Sequence, residues 1–269
     1  MKAYRVHEYG DAAKFIEDEV NKPSAKKGHV VVEVKASSLN PIDHKFLKRD
    51  LGINPALPGI LHMDVAGVIT EVGEGVTAFK TGDEIYGCAG GLQGEAGNIE
   101  GALADFMLAD SNLIALKPKS LSFSESAALP LVTITAWEGL FDRAHIKKED
   151  HVLIHGGTGG VGHIAIQLAR KHGARVATTV SSEDKAKVAR GLGAEDIIFY
   201  RDEKVEDYTQ RLTKGRGFDV VFDTIGADNL DKSLEAAKVS GQVISIIGGN
   251  KHDLTPMHMK GLSLHLVFM

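Results

Sequence analysis

The sequence predicts an α/β chain of two domains: a β-rich half over residues 1–121, then a doubly wound parallel sheet over residues 122–269. Three observations lead there. A chain of 269 residues exceeds one hydrophobic core, at about 150 residues per domain. The patterning changes near Leu121, from short strand-like runs broken by turn residues to compact apolar runs separated by helix-length segments. A glycine-rich loop also joins one of those apolar runs to a helical pattern.

In the first half, Val30-Val31-Val32-Glu33-Val34-Lys35-Ala36 and Val65-Ala66-Gly67-Val68-Ile69-Thr70-Glu71-Val72 read as strands. Gly73-Glu74-Gly75 and Thr81-Gly82-Asp83-Glu84 read as turns, because glycine accepts positive φ and aspartate bonds nearby amides. This spacing suits a folded-over sheet or barrel. Ser122 to Ala128 is a capped helix start joining the halves. Five strands follow, at His151 to His155, Ala174 to Val180, Asp196 to Phe199, Phe218 to Thr224 and Gln242 to Ile247, with a sixth beginning near Leu264. Each gap is long enough for a crossover helix, the arrangement a parallel sheet requires.

The loop Gly156-Gly157-Thr158-Gly159-Gly160-Val161-Gly162 follows the first of these strands directly and opens a helix through Ile164, Ile166 and Ala169. Gly157, Gly159 and Gly162 satisfy G-x-G-x-x-G, in which the glycines serve a tight turn, close approach to a pyrophosphate and close helix–strand packing. Free amides at the helix start then face the anion, and Gly157, Thr158, Gly159, Gly160, Val161 and Gly162 are the candidate cofactor contacts of the loop. A Walker-type loop needs Lys after its last glycine, and residue 163 is His.

A carboxylate for the ribose hydroxyls is expected about 20 residues beyond the loop in NAD-binding folds. Val180 stands there instead, followed by Ser181, Ser182 and Lys185, so the pocket offers hydroxyls and a cation suited to a 2′-phosphate. NADPH is the expected cofactor. Tyr200 and Arg201 end the third strand and can close the same pocket. Plainer readings stand beside these: Ser181 as a helix cap, and Lys185 and Arg201 as solvated charges. Ile225 and Gly226, and Ile247 and Gly248, fall at strand carboxyl ends, where open α/β sheets place their ligands.

Composition narrows the function classes. Thirty-one basic against 36 acidic residues give a net charge of −5, which provides no basic field for nucleic acid. One cysteine, Cys88, excludes an intrachain disulfide and fits a reducing compartment. No apolar run reaches about 18 residues and the start lacks a signal-peptide pattern, so the expectation is a cytoplasmic protein with no membrane partner. The 12 histidines are scattered and suggest no metal site.

Several segments resemble the medium-chain dehydrogenase/reductase superfamily, in particular its zinc-free quinone oxidoreductase branch: Asn40-Pro41-Ile42-Asp43-His44-Lys45, Val65-Ala66-Gly67-Val68 with Val72-Gly73-Glu74-Gly75-Val76, Gly82-Asp83-Glu84-Ile85-Tyr86-Gly87, Thr135-Ala136-Trp137 and Gly159-Gly160-Val161-Gly162. The resemblance implies a GroES-like β domain followed by a Rossmann domain. The positions that hold catalytic zinc in related alcohol dehydrogenases match Asn40 and Met63, neither a good zinc ligand. What is implied is hydride transfer from NADPH to a small-molecule electrophilic acceptor, a quinone or an α,β-unsaturated carbonyl. Asn40 is the candidate donor to the developing oxyanion, with a turn residue before Pro41 as the plain alternative. Thr133 is implied to approach the nicotinamide and Tyr86 to line the cleft, both with plain structural readings. Relatives usually continue past the sixth strand, so residues 264–269 read as an edge of a shortened chain, a fragment or an incomplete gene product, and as a possible homodimer interface. An alternative function is an NADPH-binding protein without turnover, serving as sensor, scaffold or structural protein.

Overall fold

The computed structural model describes residues 1–94 and 97–268. It divides into two compact units, Met1–Leu131 and Val132 onward. In the first, the strands are β1 Lys2–Val6, β2 Phe15–Glu19, β3 His29–Ser37, β4 Gly59–Ile60, β5 Asp64–Val72, β6 Glu84–Cys88, β7 Leu92–Gly94, β8 Gly97–Ile99, β9 Phe106–Asp110 and β10 Ile114–Leu116, with helices α1 Pro41–Lys48 and α2 Phe123–Ala127. Five of the strands form an antiparallel sheet in the order β10-β6-β5-β3-β9. Val30, Val32, Val65, Ile69, Ile85 and Met107 fill its core. Irregularities between Val31 and Val32 and between Val34 and Ala36 bend β3 where it pairs with β5. Smaller sheets, β2-β1-β4 and the antiparallel pair β7-β8, complete the unit.

The capping box foreseen at Ser122 forms: Ser122 Oγ accepts from the Glu125 amide at 3.2 Å, and Glu125 Oε2 accepts from the Ser122 amide at 2.8 Å. The helix it starts is short and packs on β3 and β5. That packing carries the first unit past residue 121 to Leu131.

The helix α3 Pro130–Trp137 leads through a π-helical turn, Glu138–Arg143, into the second sheet. There β11 His151–His155, α4 Gly160–His172, β12 Arg175–Val180, α5 Glu183–Leu192, β13 Asp196–Phe199, α6 Val205–Thr213, β14 Phe218–Asp223, α7 Asn229–Ala236, β15 Ala237–Ser245, α8 Thr255–Lys260 and β16 Ser263–Leu266 alternate. All six strands are parallel, in the order β13-β12-β11-β14-β15-β16. Leu153, Val221, Phe218, Ile198 and Leu234 are buried in one of its layers, each contributing about 1.5–3 kcal/mol by removal from water. The fifth strand starts earlier than Gln242, because Ala237 pairs with Phe218 ahead of an irregularity in the ladder. The sixth is paired only over Ser263–Leu266, and Met269 lies outside the described residues. Strand order reverses between β11 and β14, which places a ligand crevice at their carboxyl ends. Among the described residues no helix is long and apolar enough to cross a membrane.

Candidate cofactor and acceptor sites

The glycine loop occupies that crevice edge. Gly156 makes the left-handed turn, at φ +72°, one residue ahead of the G-x-G-x-x-G run. Its amide donates to Thr179 Oγ1 at 3.0 Å, and its carbonyl accepts from the Gly159 amide at 2.9 Å. Gly157 sits inside the tight turn that this bond closes, as expected, and packs so closely on Thr178 and Ile166 that a Cβ there would collide with both. Gly162 packs as expected, since a Cβ would fall on the carbonyl oxygen of Gly156 and 2.9 Å from Gly157 Cα. Gly159 is the exposed member, with only the Gly156 oxygen, at 3.2 Å, near an added Cβ.

The first amide bonded along α4 is that of His163, to Gly159 O at 3.1 Å. The Gly160, Val161 and Gly162 amides therefore have no acceptor among the described residues, at the positive end of a 13-residue helix. Thr158 is half-buried beside them. A phosphate group fits this donor set.

Around the loop, the sheet collects several of the residues singled out from sequence. An added Cβ at Gly156 would lie 2.8 Å from Ile225 Cδ1, so the Ile225 side chain rests against the turn. Gly226, at φ +68°, has its open side filled by Ile247. Gly248 follows, exposed. At the other side Val180 is buried at the end of β12, in register with Phe199, which puts Ser181 next to Tyr200. Ser182, not Ser181, caps α5, its Oγ accepting from the Lys185 amide at 3.4 Å. Ser181 is half-buried, and the exposed Lys185 has no ion-pair partner among the described residues, whereas Lys187 and Arg190 on the same helix are paired to Asp184 and Glu183. Tyr200 is exposed under the Arg201 guanidinium, 5.6 Å from its ring centre.

Thr133, half-buried on α3, lines an open hollow of about 460 Å³ with Ile134, Trp137, Glu138, Asp142 and Arg143. Trp137 is half exposed there, its ring centre 4.5 Å from that of Phe141 with the two rings tilted by 43°.

Asn40 and Tyr86 belong to the first unit. Asn40 is buried ahead of α1, its amide nitrogen donating to Asp64 Oδ2 at 2.9 Å and to Ser38 Oγ at 3.2 Å. Ser38 donates to the same carboxylate at 2.6 Å, and the Leu131 amide donates to Asp64 Oδ1 at 2.9 Å. The Cys88 thiol, opposite Asp64 in the ladder, donates to it as well. Tyr86, two residues along β6 from Cys88, shares that face of the sheet. Burial raises the Asp64 carboxyl above its usual range despite the donors from Ser38, Asn40 and Leu131. Burial and the Asp64 charge push the Cys88 thiol up to about 12. Asp43 is also buried and raised, its oxygens taking the Asn40 amide at 2.8 Å and the His62 amide at 3.1 Å. Met63 is buried beside this cluster in sequence, and among the described residues no three His, Cys, Asp or Glu side chains are disposed to hold a metal ion.

Sequence reasoning missed Thr179, Asp223 and Asp64. Their common signal is a polar residue at the end of an otherwise apolar strand, as in Val220-Val221-Phe222-Asp223.

A parallel sheet in this order, a glycine turn and free amides at a helix start define a fold of the dinucleotide-binding type with an added β unit. Residues 26–119 match the alcohol dehydrogenase GroES-like domain, and residues 160–269 match the family described as zinc-binding dehydrogenase. The chain belongs to the medium-chain dehydrogenase/reductase superfamily, in its quinone oxidoreductase branch. It is 38% identical to 2-methylene-furan-3-one reductase of Solanum lycopersicum, over 92% of this chain and 62% of that protein. It is 32% identical to quinone oxidoreductase of Rattus norvegicus, over 91% of this chain and 73% of the relative. The structure of Escherichia coli quinone oxidoreductase complexed with NADPH superposes with a TM-score of 0.86 at 27% identity, covering all of this chain and 81% of that one. The chain thus spans less than two thirds of the tomato reductase.

Proposed function

We propose that this chain binds NADPH in its second unit and reduces a quinone or an α,β-unsaturated carbonyl compound, without zinc. The observation that carries the reading is the trio of amides at Gly160, Val161 and Gly162, without an acceptor among the described residues and set behind a turn in which Gly157 and Gly162 leave no room for side chains. In this reading Gly157, Thr158 and Gly159 shape the pyrophosphate cradle, while Ser181, Lys185 and Tyr200 receive the 2′-phosphate in place of the absent ribose-binding acid. Ile225, Ile247 and Gly248 pack along the ribose and nicotinamide side. Bound NADPH supplies a hydride. The neighbouring structure of the Escherichia coli enzyme with NADPH, and the reductase names of the relatives, support the assignment.

Asn40 is the proposed donor to the acceptor's developing oxyanion. Its N–H to Asp64 is anchored by charge, so the longer bond to Ser38 is the one an acceptor oxygen would replace. Thr133 and Tyr86 are proposed to position acceptor and nicotinamide. The absence of zinc chemistry is supported by the donor set, since an amide tied to a carboxylate and a thioether stand where a thiolate and an imidazole would be needed. A cytoplasmic location is proposed, resting on a single hydrogen-bonded cysteine. A homodimer through β16 is proposed because that strand is the sheet edge and carries exposed Leu266.

The test is NADPH oxidation by the full-length, cofactor-saturated protein against a panel of quinones and enones. Turnover with at least one is expected. Tight NADPH binding with no turnover on any acceptor would replace this reading with that of a cofactor-binding protein.

A further inference from the structure

A buried polar row crosses the sheet behind the glycine turn. The ladder sets Ile154 beside Thr178, so His155 neighbours Thr179, and it sets His155 beside Asp223. Side chains in register on parallel neighbours share a face. Thr179, His155 and Asp223 are 5%, 3% and 0% exposed, so whatever each bonds must be supplied internally.

Two of the three are tied to loops of the candidate cofactor site. Thr179 Oγ1 accepts from the Gly156 amide at 3.0 Å. Asp223 Oδ1 accepts from the Ile225 amide at 2.9 Å, the Gly226 amide at 3.0 Å and Asn229 Nδ2 at 3.0 Å. His155 lies between them, with Nδ1 3.3 Å from Thr179 Oγ1. Thr179 Oγ1 accepts from Gly156, and its own proton has no acceptor but His155 Nδ1 among the described residues, so the hydroxyl donates to that nitrogen and the ring proton is left on Nε2. Burial supports a neutral ring by holding His155 down to about 4, although Asp223 acts to raise it. His155 Nε2 and Asp223 Oδ2 are both buried without a hydrogen-bond partner among the described residues, one a donor and the other an acceptor. Such a complementary pair is where a buried water sits.

We infer that Thr179, His155 and Asp223 form one hydrogen-bonded relay, completed by a buried water between His155 Nε2 and Asp223 Oδ2, that holds the Gly156 turn and the Ile225–Gly226 turn in fixed relation. All three are positioning residues. Their effect on cofactor binding rests on the NADPH reading above; the relay itself does not.

The experiment has two arms on the full chain. Nitrogen-15 NMR of histidine-labelled protein without cofactor should show His155 as the neutral Nε2–H tautomer at pH 7, with its Nε2 resonance moved by Asp223→Asn. An Nδ1–H tautomer, or an Nε2 resonance indifferent to that substitution, overturns the relay whether or not NADPH binds. In the second arm, Thr179→Val and Asp223→Asn should each raise the NADPH Kd by about three- to tenfold, and the double variant should fall short of the product by at least about threefold. In a His155→Gln background that shortfall should vanish. Losses that multiply independently in the native background refute coupling through His155. Failure of the parent protein to bind NADPH refutes the cofactor reading and leaves the NMR arm to judge the relay.

Discussion

Alanine at Gly159 and alanine at Gly162 perturb the same loop in physically different ways. At Gly162 the new Cβ would fall on Gly156 O and lie 2.9 Å from both Gly156 C and Gly157 Cα, all backbone. Carbon contacts settle at about 3.5–4.0 Å, so α4 must retreat from the turn by roughly 0.6 Å or more. Overpacking of this kind costs about 1–3 kcal/mol, and each kcal/mol lowers Tm by roughly 2–4 °C in a chain of this size. At Gly159 the backbone is already ordinary for alanine, at φ −82°, and the one neighbour is an oxygen at 3.2 Å. Stability should change by less than about 1 kcal/mol, the scale of a weakened helix cap. The methyl group would nevertheless stand on the exposed side, where a pyrophosphate must approach the free amides. Losing one or two charge-assisted bonds, at about 1.5–3 kcal/mol each, raises the NADPH Kd by at least about tenfold. Thermal unfolding and a calorimetric NADPH titration of both variants separate the effects. Gly162→Ala should lose stability and affinity together, and Gly159→Ala affinity alone. Wild-type affinity in Gly159→Ala would falsify the placement of the anion on this loop.

Lys185→Ala should weaken NADPH by about tenfold and NADH by less than about twofold in paired titrations, because the unpaired ammonium has a 2′-phosphate to meet in only one of them; equal losses remove it from the pocket. Stability should fall as pH drops from about 6.5 towards 4, since His155 is held down to about 4 in the fold and the unfolded chain takes up its proton first. At 1.36 kcal/mol per pH unit the full window amounts to about 3 kcal/mol. Asp43 and Asp64, both raised by burial, act in the opposite sense, binding protons more tightly when folded, so stability is lost as pH rises through their folded pKa. Urea titrations across that range should therefore show a shallower acid loss in His155→Gln, and an unchanged slope would contradict the assignment. Cys88, pushed up to about 12, should resist iodoacetamide at pH 8 in the native protein and react promptly in denaturant, with fast native alkylation the contrary result.

The strands of the second unit were legible because both faces of a parallel sheet are covered, which writes each strand as a short apolar run such as Val152-Leu153-Ile154. The loop was legible for a related reason: close approach of backbone to backbone admits only glycine, and Gly162 shows that constraint directly. Val180, Ser181 and Lys185 could be placed by counting from the loop, since one helix and one strand separate them from it. These features depend on neighbours along the chain. Local order carries them into the fold without ambiguity.

Other features depend on partners far apart in sequence. The left-handed conformation of Gly156 goes with how it meets Thr179, on another strand, and Ile225, just beyond the end of a third. Asn40 could be singled out by its motif, but only the folded sheet shows its amide committed to Asp64 and Ser38. The sequence by itself determined the two kinds of unit and the glycine turn between strand and helix, because backbone sterics and hydrophobic periodicity act locally. Tertiary structure alone decided which buried polar groups meet, as with His155 and Asp223, because strand order and register bring those residues together and neither is written in the spacing between them.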